Sequence, residues 1–241
     1  MMNSTTDPGS MIATWYKETR ELLDKKIGSN QQNRSLIDKL CVCVTSASAD
    51  YCAAIMRLLY EGHEWPAKAL MRCLGELDAK FTWCLDGCKD QDHSPETITK
   101  RIQSWEKTAY AEGIKLFDDF DSIVPAEDKE HHQTERNKLE ELKKKLTVRE
   151  MPNLKQVIEQ LGNHYSQHVH AMFYCRFNSA VHLDPSVLVA TYTNRGEGRD
   201  ELMRHCLGYA LSINGIIRSQ YGYQKDFERI VTEYSEIMGK S

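Results

Sequence analysis

No stretch of alternating β-branched residues bounded by turn residues occurs anywhere in the 241 residues, and this excludes a sheet and leaves an all-α fold. Proline and glycine are both scarce, at 6 and 13. Charge of one sign is not in excess either: 31 basic side chains stand against 35 acidic ones, a net of −4. Residues 1–126 carry 15 basic and 19 acidic groups and residues 127–241 carry 16 of each. Without a basic half or tail, binding of double-stranded DNA through counterion release is not expected. No uninterrupted apolar run approaches the roughly 18 residues that span a bilayer, so no membrane partner is expected. The start, Met1-Met2-Asn3-Ser4-Thr5-Thr6-Asp7-Pro8-Gly9, lacks the basic and apolar regions of a signal peptide, which predicts a cytoplasmic protein. Its eight cysteines are then expected to be reduced and mostly buried. Cys41-Val-Cys43 and Cys84-Leu-Asp-Gly-Cys88 do not have the spacing of paired zinc ligands. Neither a metal nor a cofactor is expected.

What is present is helical periodicity. Leu36, Leu40, Val44, Ala47, Tyr51, Ala54 and Leu58 step by three and four, one face of a long helix ending near Gly62. Leu70, Leu74, Leu77, Phe81 and Leu85 do the same between Pro66 and Gly87, and so do Leu202, Cys206, Tyr209, Ile213 and Ile216. A further helix is expected over about 10–27, and Ser94-Pro95-Glu96 opens another. The first half, 33–123, is thus read as helices. Segment 127–150 has 7 acidic and 7 basic residues and reads as a solvated helix or a coiled arm. Pro152-Asn153 punctuates, a helix follows from about 154 to 183, and Asn194–Gly198 is a loop. Long helices on short connectors predict an antiparallel bundle in a single domain, 1–241, with helices over 154–239 carrying the candidate site.

One residue does not suit its helix. With Arg176 at 0° on a helical wheel, Val169 falls at about 20°, Met172 near −40°, Phe173 near 60°, Ala180 near 40° and Leu183 near −20°. An arginine in the middle of an apolar face cannot shed its charge, and burial without a partner costs several kcal/mol. It therefore requires an anion, either a carboxylate or a bound phosphate. Ser179 and His182 flank it on one side, over about 9 Å of axis. Histidine exchanges a proton near neutral pH, and the guanidinium fork matches phosphate oxygens. Together they are sufficient for RNA transesterification, the base taking the proton of a 2′-hydroxyl while the fixed cation stabilises charge on phosphorus oxygens. The alternative is a buried structural ion pair at Arg176, with His182 at the helix C-terminus, where its charge suits the dipole.

Arg72 and Glu76 form a second pair, at i and i+4, opposite the leucine stripe and beside Ala69, Ala79 and Trp83, a face apolar enough to be covered by another helix. His164, His168 and His170 form an exposed polar edge by expectation, since no glutamate completes a metal-binding motif there. No phosphate-cradling glycine loop, nucleophile elbow or dinucleotide fingerprint is found.

The segment Arg176-Phe-Asn-Ser-Ala-Val-His182 resembles the HEPN superfamily (higher eukaryotes and prokaryotes nucleotide-binding domains), whose ribonuclease members carry arginine, four to six residues, then histidine near a helix end. More closely, the chain resembles a bacterial all-α family of unknown function. That family pairs an Arg-x-x-x-Glu helix, here Arg72-Cys-Leu-Gly-Glu76, with a later Tyr-x4-Ser-x2-His segment, here Tyr174, Ser179 and His182. The likeness covers Ala53 to Asp86 and Tyr165 to Tyr192. In one respect the chain departs from the ribonuclease members, because Phe177 directly follows the arginine and the polar Asn178 comes one residue later. The resemblance implies an RNA-directed toxin or antiviral defence effector, a HEPN-like homodimer whose two Arg/His sets face one cleft, with an antitoxin or sensor protein as a further partner. It makes His182 the base or acid and Arg176 the phosphate clamp, with Arg72, Glu76, Tyr174, Asn178 and Ser179 in support. The competing reading is a non-catalytic helical module that binds a partner protein or a nucleotide, with Arg176 in a structural ion pair.

Overall fold

Asp7, Ser35 and Ser94 cap the starts of three helices, and Gly28, Gly62 and Gly222, all at positive φ, follow the ends of three. A computed structural model describes residues 7–28, 34–85, 92–161 and 198–238, and among these every regular element is helical. Helix α1 (Pro8–Ile27) starts at Asp7, whose carboxylate accepts from the Ser10 amide at 2.8 Å, with Pro8 in its first turn. It ends at Gly28, where φ is +71°. Helix α2 (Leu36–Tyr60) opens with a reciprocal capping box between Ser35 and Asp38. Gly62, at φ +80°, turns the chain into α3 (Glu64–Leu85). Ser94 caps α4 (Pro95–Phe120) through the Thr97 amide. A 3-10 turn at Ala126–Asp128 leads into α5 (Lys129–Lys145). Helices α6 (Leu154–Gln160), α7 (Arg199–Gln220) and α8 (Gln224–Met238) complete the described residues.

The chain divides into two compact units, Met1–Gln91 with Leu154–Ser241, and Asp92–Asn153. In the first, α2 packs against α1, α3 and α7, and α7 also packs on α1, α3 and α8. The core is built from Trp15, Ile55, Leu59, Met71, Leu74, Phe81, Leu207, Ile213 and Ile217, all essentially inaccessible. Each such side chain contributes about 1.5–3 kcal/mol relative to exposure. Gly215 is required in this packing, because a Cβ there would lie 2.3 Å from the Phe227 ring of α8.

The buried stripe of α2 is rotated by about one residue from the one expected. Cys41, Val44, Thr45, Ser48, Cys52, Ile55 and Leu59 face the core, while Leu36, Leu40, Ala47, Tyr51, Ala54 and Leu58 are half-buried. The hydroxyls make this affordable: Thr45 Oγ1 donates to the Cys41 carbonyl at 2.7 Å and Ser48 Oγ to the Val44 carbonyl at 2.5 Å. Leu74, Phe81 and Leu85 of α3 are buried as expected, and so are Leu202, Cys206, Tyr209 and Ile213 of α7. Helix α2 also qualifies the hydropathy expectation. Although charged and hydroxyl residues interrupt its apolar runs, an 18-residue window has a mean hydropathy of 1.3, enough by length and composition to cross a membrane. In this fold 39% of that window is buried against the bundle. Most of the described cysteines are buried as expected, namely Cys41, Cys52, Cys84 and Cys206, while Cys43 and Cys73 are exposed.

The second unit is a helical hairpin. Helices α4 and α5 pair antiparallel, with Phe117 edge-on to His132 at 4.8 Å and Arg136 donating to Asp118 at 2.6 Å. They pack closely at Gly113, where a Cβ would meet the Leu139 side chain at 2.9 Å. The expected helical segment 127–150 is α-helical only from Lys129 to Lys145. Beyond it the chain returns along α4: Lys107 Nζ donates to the Leu146 and Val148 carbonyls at 2.8 and 2.7 Å, and the Met151 amide to Thr108 Oγ1 at 2.7 Å. Those side-chain partners, Lys107 as donor and Thr108 as acceptor, replace helical hydrogen bonds the return segment gives up.

Candidate functional site

The segment expected to carry Tyr174, Arg176, Asn178, Ser179 and His182 lies outside the described residues, as do His164, His168 and His170. The part of the candidate site within them is the Arg72–Glu76 pair on α3. Arg72 Nε donates to Glu76 Oε1 at 3.1 Å, and both side chains are more than two-thirds covered, at 28% and 29% exposure. A pair so placed is worth more than a solvated i, i+4 pair of about 0.3–0.5 kcal/mol, because less water competes for it. Cys73, on the adjacent turn, has its thiol pushed above the ordinary value, by burial first and then by the Glu76 charge.

The expectation that this face is covered holds at its C-terminal end. Ala79 is fully buried, Trp83 is 7% exposed, and the Trp83 indole donates to Gln160 Oε1 of α6 at 2.7 Å. Helix α6 lies against α3 with Val157 and Ile158 buried. Helix α3 is therefore enclosed on two sides, by α2 and α7 over its leucine face and by α6 over Trp83. Gln160 is the last residue of α6, and Arg176 follows it by 16 residues in the sequence.

Two other polar assemblies were not anticipated. Asp78 is 1% exposed on the buried side of α3, and Tyr209 of α7 has its hydroxyl pushed far above the ordinary range, by burial and then by the Asp78 charge. Arg218 of α7 is 2% exposed and is held by Glu18 Oε2 at 3.2 Å and the Trp15 carbonyl at 3.3 Å. Glu18 also accepts from Arg229, which donates to Glu233 at 2.5 Å, and Glu233 accepts from the Trp15 indole at 2.7 Å. The wheel reasoning applied to Arg176 would have found this arginine, since Leu207, Leu211 and Asn214 share its side of α7. A cleft of about 350 Å³ also opens between α1 and α2, with Lys17, Arg20 and Asp50 at its rim and Tyr16, Cys52 and Met56 within. Among the described residues no three His, Cys, Asp or Glu side chains are grouped to hold a metal ion.

The fold places the chain among the all-α helical bundles. The sequence places the chain more narrowly. Residues 38–200 match the model of DUF5677, a family of unknown function, and the chain belongs to that family. The matched stretch contains both the Arg72–Glu76 motif and the Tyr174–His182 segment. No curated protein and no solved structure matches the chain.

Proposed function

We propose that this protein is an endoribonuclease of HEPN type, a toxin or defence effector, with Arg176 and His182 at the reacting phosphate. The observation that carries the reading is the Arg72–Glu76 pair, more than two-thirds covered on a helix packed against α2, α7 and α6. Glu76 fixes the orientation of the Arg72 guanidinium, whose planar fork has the geometry that suits phosphate oxygens. In the proposed step His182 takes the proton of a 2′-hydroxyl and the 2′-oxygen attacks phosphorus. The bond to the 5′-oxygen breaks, that oxygen gains a proton, and a 2′,3′-cyclic phosphate and a 5′-hydroxyl end remain. Arg176 stabilises the charge on the non-bridging oxygens. None of these steps requires a metal. The resemblance further supports a homodimer with two Arg176/His182 sets at one cleft.

RNA cleavage in excess chelator, by wild type, His182→Ala and Arg176→Ala, tests the reading. Cleavage by wild type alone, with a cyclic phosphate product, is the expected result. Equal behaviour of all three proteins defeats it.

One observation favours the second reading, a non-catalytic module that binds a partner protein or nucleotide. The bundle already neutralises one buried arginine, Arg218, with a carboxylate and a backbone carbonyl in a purely internal network. If Arg176 is held the same way, Arg176→Ala will lower the melting temperature sharply; under the nuclease reading it leaves a folded, inactive protein.

A further inference from the structure

The hairpin of α4 and α5 covers an imidazole whose hydrogen-bonding atoms are unused. The His132 side chain is 12% exposed, and neither ring nitrogen reaches solvent or finds a hydrogen-bond partner among the described residues. A neutral imidazole carries one donor and one acceptor, so both are forfeited here. The ring lies edge-on to Phe117 of α4, with centroids 4.8 Å apart and planes at 67°. Asp121, which ends α4, places Oδ1 3.7 Å from the ring Nδ1, close enough for ionic attraction and too far for a hydrogen bond.

The charges around this ring favour a proton on it. From α4 and its end come Asp121 and Asp118, whose carboxyl is held below the usual carboxylate range by its hydrogen bond from Arg136 first and in lesser part by His132. On α5 the opposing cation is Arg136, one turn on, and its charge is already taken up by Asp118 at 2.6 Å and Glu140 at 2.9 Å. The 3-10 turn before α5 brings Glu127 and Asp128, both exposed. Over 118–130 six acidic residues stand against one lysine. The neighbouring His131 is exposed and acts on Glu135 instead. Burial opposes a charge on the ring. Asp121, however, is 66% exposed, and a shift of about 1 Å brings it to the roughly 2.8 Å of a charge-assisted hydrogen bond.

We propose that His132 is a pH-sensitive clasp at the tip of the α4–α5 hairpin: uptake of a proton near neutral pH closes the ring onto Asp121 and holds the end of α4 against the start of α5. The closed tip holds the proton more tightly than the opened one, where the ring stands in water and away from the carboxylates. Proton linkage then makes the tip more resistant to opening as pH falls through the histidine range, and less so as pH rises through it. The clasp lies wholly within Asp92–Asn153 and stands apart from the nuclease reading, so loss of RNA cleavage does not bear on it.

The experiment is amide hydrogen exchange of the full chain, read by mass spectrometry on peptides covering 114–136 at about pH 7.5 and about pH 5.5. Rates are corrected for the pH dependence of chemical exchange, and exposed carboxylates stay ionised across this range. Protection of these peptides should rise at least about threefold at the lower pH in wild type and equally in His131→Gln. His132→Gln, which keeps a neutral donor and acceptor, should lose the rise, and so should Asp121→Asn. Each variant is compared with itself at the two pH values, so a general loss of stability does not imitate the effect. Protection that is flat or falls on acidification of wild type overturns the proposal, and so does a rise that survives either His132→Gln or Asp121→Asn.

Discussion

Glu18→Ala would remove the carboxylate that faces a nearly inaccessible guanidinium, Arg218. Breaking a buried pair by deleting one member costs about 3–5 kcal/mol when water cannot reach the survivor. Here the Glu18 side chain is 35% exposed and Arg229, its other partner, 42%. Water can therefore enter the space left behind, and the cost falls to about 2 kcal/mol. For a chain of this length that corresponds to a fall in Tm of roughly 4–8 °C. Arg218→Met takes away the charge that needed Glu18 and fills a similar volume, so it should be neutral or stabilising by about 1 kcal/mol. Nε of Arg218 finds no hydrogen-bond partner among the described residues, and methionine removes that debt as well. In the double variant, Glu18→Ala should then cost less than 0.5 kcal/mol, on the order of a surface substitution. Urea unfolding monitored by circular dichroism on all four members of this cycle measures the coupling. Additivity of the two changes, or a Glu18→Ala protein as stable as wild type, would refute the claim that Arg218 depends on Glu18.

Two further outcomes follow from the fold. Gly215→Ala should destabilise by about 1–3 kcal/mol, because the new methyl must displace the Phe227 ring that holds α8, and thermal melts will show it. Asp38 has its carboxyl held below the usual 3.8: burial pushes it up, but hydrogen bonds from Tyr221 and Ser35 and the nearby Arg34 outweigh that. A depressed folded pKa gives stability that is present above the ordinary carboxylate range and lost as pH falls through it. The destabilisation caused by Asp38→Asn, measured by urea titration, should therefore be full at neutral pH and shrink below about pH 4, and a constant difference at all pH values contradicts it.

Helix positions were legible in the sequence because their signals are local. Ser94-Pro95, Gly62 and the three-and-four steps of Leu202, Cys206, Tyr209 and Ile213 act within a turn or two of the chain. The buried face of α2 was misjudged by about one residue because leucines were weighted over Thr45 and Ser48. The hydroxyls of those two residues are satisfied by their own helix, and the core takes them as small side chains. The Arg72–Glu76 spacing and the covered face beside Trp83 were readable from one helix alone. Arg218 was readable from its own helix face but its network was not, since Glu18 and Glu233 come from 200 residues before it and 15 after it, and only tertiary packing brings them together. The return of 146–151 along α4 was hidden for a similar reason. Lys107 and Thr108 supply its hydrogen bonds, and neither has any periodic signature.

The sulfur atoms amount to an internal clock. Cys43 and Cys73 are open to a thiol reagent in the native protein, whereas Cys41, Cys52, Cys84 and Cys206 are sealed, Cys52 and Cys206 together at the contact of α2 with α7. The labelling rate of each sealed position reports how often its own contact opens, so peptide-resolved alkylation would rank the helix interfaces by their opening free energies without a single engineered probe.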